Sequence, residues 1–282
     1  MDVSISRQIL RTLEPVHGMI YFVPEAQDAY ERIGLTGRRM GYFASRAAAM
    51  GPVPATTVVA TFFNFFPPLI ERVIPEAWNR ATPEAIVAAR YDAADAALRR
   101  MLGDAVDGAD IKEAAELARE AALGCIPEGR PLYAGHAGLT WPDEPHMVLW
   151  HAQTLLREFR GDGHIAALVA ENITGPEALV IHAATGDVPA SALQASRAWP
   201  DDEWAAATGK VRARGWINAD GSFTDAGRAS RDWVEARTDE LALRCWERIG
   251  EDGCKRLRQL VRPHSRVIAK DALTLSLTNW DE

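Results

Sequence analysis

Arg214-Gly215-Trp216-Ile217-Asn218-Ala219-Asp220-Gly221-Ser222-Phe223-Thr224, running into Asp225-Ala226-Gly227-Arg228, is the stretch whose reading decides the fold. Trp216-Ile217 and Ser222-Phe223-Thr224 flank Asn218-Ala219-Asp220-Gly221, a turn of the Asp-Gly kind, which predicts a small β-hairpin. On its N-terminal side, residues 201–214 have helical spacing and Gly215 ends them. On its C-terminal side, residues 225–249 read as one long helix. Pro176 opens a further helix that Gly186 closes. Short helices, a hairpin and a long helix in that order make a winged helix.

Outward from this module the chain reads as helices throughout. Asp143-Glu144-Pro145 starts one, with Val148, Ala152, Leu155 and Phe159 on its apolar face. Arg160-Gly161 is expected to end it, and Asp162-Gly163-His164 to cap a new helix reaching Glu171. Before it, residues 124–144 hold Pro127, Gly129, Pro131, Gly135, Gly138 and Pro142, which predicts some twenty residues without regular structure, a lid over a site or a linker. Nearer the N-terminus, Ile9, Leu10, Leu13 and Val16 form an apolar face. Thr82-Pro83-Glu84 caps a long helix in which Ile86, Ala89, Arg90, Ala93, Ala97 and Met101 recur at helical spacing. The expected fold is mainly α: an N-terminal helical domain over 1–124, a linker or lid over 125–145, and a winged-helix domain with flanking helices over 146–282.

The 282 residues are 48% hydrophobic and 25% charged, a globular composition that excludes a disordered chain. Cys125, Cys245 and Cys254 are too few and too irregularly spaced for a disulfide framework or a zinc site. The N-terminal residues lack the apolar run of a signal peptide. The longest apolar stretch, residues 57–70, is interrupted by Asn64 and Pro67-Pro68, so the expected location is the cytoplasm. Net charge is -8, and residues 201–270 carry 14 Lys and Arg against 12 Asp and Glu. Phosphate neutralisation dominates DNA affinity, and no basic stripe of that kind stands out in this bulk balance.

At Arg214-Gly215-Trp216-Ile217 and Phe223-Thr224-x-x-Gly227-Arg228 the sequence resembles the wing signature of MarR-type regulators. The whole chain also resembles an actinobacterial family of helical proteins with that winged helix. The matching segments are His17-x-x-x-Tyr21-Phe22-x-Pro24-Glu25, Met40-Gly41-Tyr42-Phe43-Ala44-x-Arg46, Thr61-Phe62-x-Asn64, and Trp150-His151-Ala152-x-Thr154 through Arg157-Glu158-x-Arg160-Gly161-Asp162-Gly163-His164. The resemblance implies a fold and no established activity; members beside genes for specialised metabolites make a small organic ligand the natural expectation. The turn 218–221 is shorter and more acidic than a MarR wing. The helix that would enter the major groove begins Asp201-Asp202-Glu203, and its basic residues Lys210, Arg212 and Arg214 lie at the far end. Base contacts usually come from the leading end, so DNA binding is not the first expectation.

Candidate chemistry centres on Trp150–His164. Arg157, Arg160 and the Asp162-Gly163 turn with His164 would gather donors at the expected helix start, where a carboxylate, sulfate or phosphate could sit. The plainer reading makes Asp162 an N-cap and the arginines a solvated helix end. His164, His151 and His17 would suit acid–base catalysis near neutrality, with Tyr21 one turn beyond His17. Phe62 and its aromatic neighbours either pack a core or line a pocket in which Asn64 orients a ligand. No metal and no cofactor is expected, since neither His-x-x-x-His nor Cys-x-x-Cys nor a Gly-rich phosphate loop occurs. Three readings stay open: a small-molecule-binding protein, with an enzyme of specialised metabolism as one form of it; a ligand-responsive MarR-like regulator; and a structural partner of another enzyme. The apolar residues Trp233, Leu241, Trp246, Leu257, Leu260 and Val261 predict a homodimer.

Overall fold

A computed structural model describes residues 1–276; the last six positions of the expected winged-helix segment lie outside the described residues. Among the described residues fifteen α-helices follow one another: α1 (Ser4–Gly18), α2 (Pro24–Arg32), α3 (Arg38–Ala47), α4 (Ala55–Phe62), α5 (Pro67–Glu71), α6 (Ile74–Arg80), α7 (Pro83–Leu102), α8 (Ala109–Ala122), α9 (Pro131–Ala137), α10 (Pro145–Ala170), α11 (Gly175–Ala183), α12 (Ala190–Arg197), α13 (Asp201–Ala213), α14 (Asp225–Glu247) and α15 (Gly250–Ser276). Proline sits in the first turn of α2, α5, α7, α9, α10 and α11, where its missing N–H removes no helical bond. Thr82 caps α7 by accepting from the Ala85 N–H, as the sequence predicts. No helix is long and apolar enough to cross a membrane among the described residues.

α10 is the axis of the molecule. Its two ends differ in what they pack against. The first half lies in a large core with α1, α2, α7, α8 and α15, drawing on residues from Ile5 to Ala272 and including the buried Trp150 and Phe159. A second core gathers Phe43, Phe62, Phe65, Ile70 and Leu132 between α3, α4, α5 and α9. The end of α10 belongs to a third, in which Ala167 and Leu168 meet Val180 and Ile181 of α11, Ala207 and Val211 of α13, Ile217 and Val234.

Three local expectations are corrected. α10 does not stop at Gly161: it runs unbroken through Asp162, Gly163 and His164. A helical glycine costs about 1 kcal/mol relative to alanine, which burial on both sides of α10 outweighs. Gly163 serves close packing, since a Cβ there would lie 2.5 Å from Arg130 Nη1 and 3.3 Å from the Leu241 Cβ. Asp162 caps a different helix, accepting from the Tyr133 N–H at the start of α9 (2.9 Å).

Residues 124–144 are not structureless either, because α9 occupies their middle. Its Gly135 lets the backbone of Ala49 approach, where a Cβ would meet the Ala49 carbonyl oxygen at 2.9 Å. The glycine marks a contact, not a turn. Finally, the predicted hairpin strands do not form among the described residues. One antiparallel bridge joins Ile217 to Phe223. It is held by Asn218 N–H to the Ser222 carbonyl (2.8 Å) and Thr224 N–H to the Trp216 carbonyl (3.0 Å). Arms of two or three residues leave room for little more. Thr224 then caps α14 through the Gly227 N–H (3.1 Å), and Gly227 is required there because any Cβ would strike the Trp216 carbonyl.

Candidate functional site

Two cavities adjoin beside α10. The first, of about 540 Å³, lies between α1, α2, α3 and α15 and presents Tyr21, Tyr30, Tyr42 and Ser45. The second, of about 490 Å³, lies between α1, α4, α10, α11 and α14 and presents Arg46, Phe62, Asn64, Arg160, Asp162, His164 and Glu235. Glu14, Tyr42, Phe65, Arg157 and Arg197 line both and form the junction.

The expected site residues divide between these walls. Phe62, Asn64, Arg160, Asp162 and His164 face the second cavity, Tyr21 faces the first, and Arg157 faces both. Gly163 lines neither. His17 stands fully buried behind Tyr21. Thr154 donates its hydroxyl proton to the Trp150 carbonyl (3.0 Å), so toward His17 Nδ1 (2.9 Å) its oxygen accepts. That fixes the ring proton on Nδ1 and leaves Nε2 to accept from the Tyr21 hydroxyl at 2.7 Å. Burial, then Arg157, Arg90 and Arg46, hold His17 well below the usual imidazole range, so it is neutral.

His164 repeats the arrangement. Its Nδ1 lies 2.9 Å from the Thr238 hydroxyl, which donates to the Val234 carbonyl at 2.7 Å. Burial lowers its pKa to about 4, so at neutral pH it is no cation for an anion to meet. His151 points the other way, sharing a 2.6 Å hydrogen bond with the Tyr91 hydroxyl and lying edge-on to Trp141 at 4.6 Å. The structure therefore does not bring the three histidines together: His17 and His164 approach different cavities, and His151 lines neither.

The charge of the site is carried by arginines. Arg157 Nε meets Glu14 at 3.2 Å and its Nη1 meets Glu158 at 3.0 Å. Arg46, whose guanidinium lies over the Phe62 ring at 4.4 Å, donates to the Tyr42 hydroxyl (2.9 Å) and pairs with Glu158 (3.1 Å). Burial pushes the Glu158 carboxyl up, but Arg46 and Arg157 more than offset it and hold it at about 2. Arg160 is spent on Glu235 (3.3 Å) and Asp239 (3.0 Å). Arg197 differs from these. It lies over the Phe65 ring at 4.7 Å, donates to Ser196, leaves Nε without a partner and has no carboxylate among the described residues. Burial lowers its pKa, but a guanidinium keeps its proton in proteins, so the charge stays. With Arg90 behind Tyr21, the carboxylates paired with Arg46, Arg90, Arg157 and Arg197 among the described residues are Glu14 and Glu158, which leaves this junction positive.

Arg46, Arg90, Arg197, Tyr42 and Glu158 escaped the sequence reading as site residues. A signal existed for Arg90 and Arg46: each interrupts an apolar helical face, Ile86–Ala89–Ala93–Ala97 in α7 and Phe43–Ala44–Ala47 in α3. Nothing local marks Arg197.

Over residues 6–274 the sequence matches a family described as a helix-turn-helix family. No curated protein and no solved structure matches it.

Proposed function

The chain belongs to this helix-turn-helix family, and on that premise we propose that it is a small-molecule-binding member whose paired cavities take an organic ligand with an anionic or strongly polar group. One observation carries the reading: Arg197 faces both cavities, half-desolvated on Phe65, with no carboxylate to balance it. A cation so placed raises the affinity of a negatively charged partner. Arg157 adds a second donor at the same junction, and Phe62, Phe65, Tyr21 and Tyr42 supply an aromatic wall for the ligand body. Thermal unfolding against a panel of aromatic carboxylates tests this. Binding should raise Tm, and Arg197→Ala or Arg157→Ala should weaken affinity roughly ten- to a hundredfold, the effect of losing a charged hydrogen bond of about 1.5–3 kcal/mol. Shifts that persist unchanged in both variants would remove the junction from the reading.

The proposal extends to the C-terminal part, read as a winged helix built from α11 to α14 with the Ile217–Phe223 bridge as its reduced wing. Its own apolar cluster and the cap of α14 by Thr224 support this. α11 and α14 also wall the second cavity, so ligand occupancy and the module's position are linked. The second reading, a ligand-responsive DNA-binding regulator, draws on family membership. Against it stand the exposed Asp201, Asp202 and Glu203 at the start of α13. Arg214 is also engaged internally: it donates to the carbonyls of Glu171 (3.1 Å) and Asn172 and stacks on Trp216. The half-exposed Trp233 on α14 is the support for a homodimer in the same proposal.

A further inference from the structure

Arg90 on α7 lies behind the inner wall of the first cavity and is 1% exposed. Its guanidinium rests over the rings of Tyr21 (5.5 Å) and Trp150 (5.4 Å). One hydrogen bond is made, Nη1 to the Ser45 hydroxyl at 3.4 Å, while Nε and Nη2 find no acceptor. The charge has no carboxylate partner among the described residues. The buried hydroxyl of Tyr30 lies beside Ser45 and Arg90 and meets neither in good hydrogen-bond geometry. Ser45, Tyr21 and Tyr30 all line the first cavity, and Arg90 stands directly behind them.

Buried polar groups in folded proteins are nearly always bonded, and a buried cation is nearly always balanced. Arginine cannot escape the penalty by losing its proton. The guanidinium offers donors alone, whereas the Tyr30 and Ser45 hydroxyls beside it both donate and accept. Those neutral oxygens do not balance the charge, and beside an unbalanced guanidinium the acceptor that fits carries negative charge.

We infer that Arg90, with Ser45 and Tyr30, forms an anion site at the inner end of the first cavity, filled by the carboxylate of an apolar acid or by a free monovalent anion. The inference rests on the ligand reading of the cavity only for the first of these sources. An acid seated this way lays its apolar body against Met19, Val23 and Phe43 and directs its far end toward Arg157 and Arg197. The junction arginines then read the distal polar group, while Arg90 reads the acid.

Anomalous diffraction from crystals soaked separately in sodium bromide and in 4-bromobenzoate tests the site. Calorimetry of 4-bromobenzoate on the native protein, Arg90→Gln and Tyr30→Phe accompanies it. A carboxylate seated on Arg90, with affinity at least tenfold weaker in Arg90→Gln and several-fold weaker in Tyr30→Phe, supports the ligand source. Tyr30→Phe keeps the test alive if Arg90→Gln fails to fold. Bromide at Arg90 that 4-bromobenzoate does not displace supports the site with an inorganic anion. Neither ion at Arg90 overturns the inference. In that event 4-bromobenzoate found at Arg157 and Arg197 leaves the ligand reading standing, and no binding anywhere in either cavity ends both.

Discussion

Asp162 and Glu158 sit one turn apart on α10 and titrate in opposite directions. Burial raises the Asp162 pKa to about 6, whereas the two arginines keep Glu158 near 2 against the same burial. The consequences for stability have opposite sign. Asp162 binds its proton more tightly when folded, so its contribution is fullest in acid and is lost as pH rises from about 4 to about 6. Asp162→Asn keeps an acceptor for the Tyr133 N–H and should stabilise the protein at pH 7 by on the order of 2 kcal/mol, with little effect at pH 4. Urea unfolding at both pH values checks this; equal effects at the two would contradict it. Glu158 contributes stability above its unfolded pKa that disappears only as pH falls toward about 2. Glu158→Gln leaves Arg46 and part of Arg157 unbalanced and should cost about 3–5 kcal/mol at pH 7. An unfolding midpoint unchanged by that substitution would show that the pair is not the counter-charge described. Of these residues the sequence made Asp162 legible as polar and site-adjacent, because it follows two arginines at a glycine. It could not show that Asp162 caps α9, a contact 29 positions away. Arg46 and Arg90 showed only as charges on apolar faces, a pattern that does not tell a ligand site from a buried ion pair.

Helix continuity decides what the histidines can do. At about 100° per residue, positions 151 and 164 of one straight helix fall on opposite sides. Read as two helices broken at Gly161, they could have converged; the unbroken α10 sends one toward α7 and the other toward α14. The sequence signals at Asp162-Gly163 were those of a cap and a stop, and tertiary packing overrode them. The two glycines should answer differently to alanine. Gly161→Ala meets nothing closer than a Glu158 oxygen at 3.7 Å and should gain up to about 1 kcal/mol of stability. Gly163→Ala must displace Arg130 and should destabilise. Chemical denaturation of the pair gives the signs, and a stabilised Gly163→Ala would contradict the packing described. Where local chemistry alone sets an element, the sequence was sufficient: Thr82 before Pro83 marks the start of α7, whereas Thr224, read as the end of a strand, proves to cap α14. At α13 the same acidic first turn that suits a helix N-terminus opposes phosphate. A gel-shift assay with the protein's own upstream DNA at physiological salt should show no nanomolar complex. One that weakens in Arg212→Ala would favour the regulator reading.

At the scale of the whole molecule, a chain of net charge -8 keeps its positive excess inside, along the wall shared by two cavities. The overall helical class was legible from periodicity, proline and caps. The cavities were not, because their walls combine α1, α3, α10, α12 and α15, elements far apart in sequence. Arg197 joins the site only through α12 lying against Phe65. The claim that follows is electrostatic: the site selects a negative ligand over a neutral one of the same shape. Calorimetry of 2-naphthoate and 2-naphthamide, at matched ionic strength, measures that preference directly. The account predicts that the acid binds the native protein at least tenfold more tightly than the amide, and that the difference collapses in the Arg157→Ala, Arg197→Ala double variant. Equal affinity for acid and amide in the native protein would contradict it.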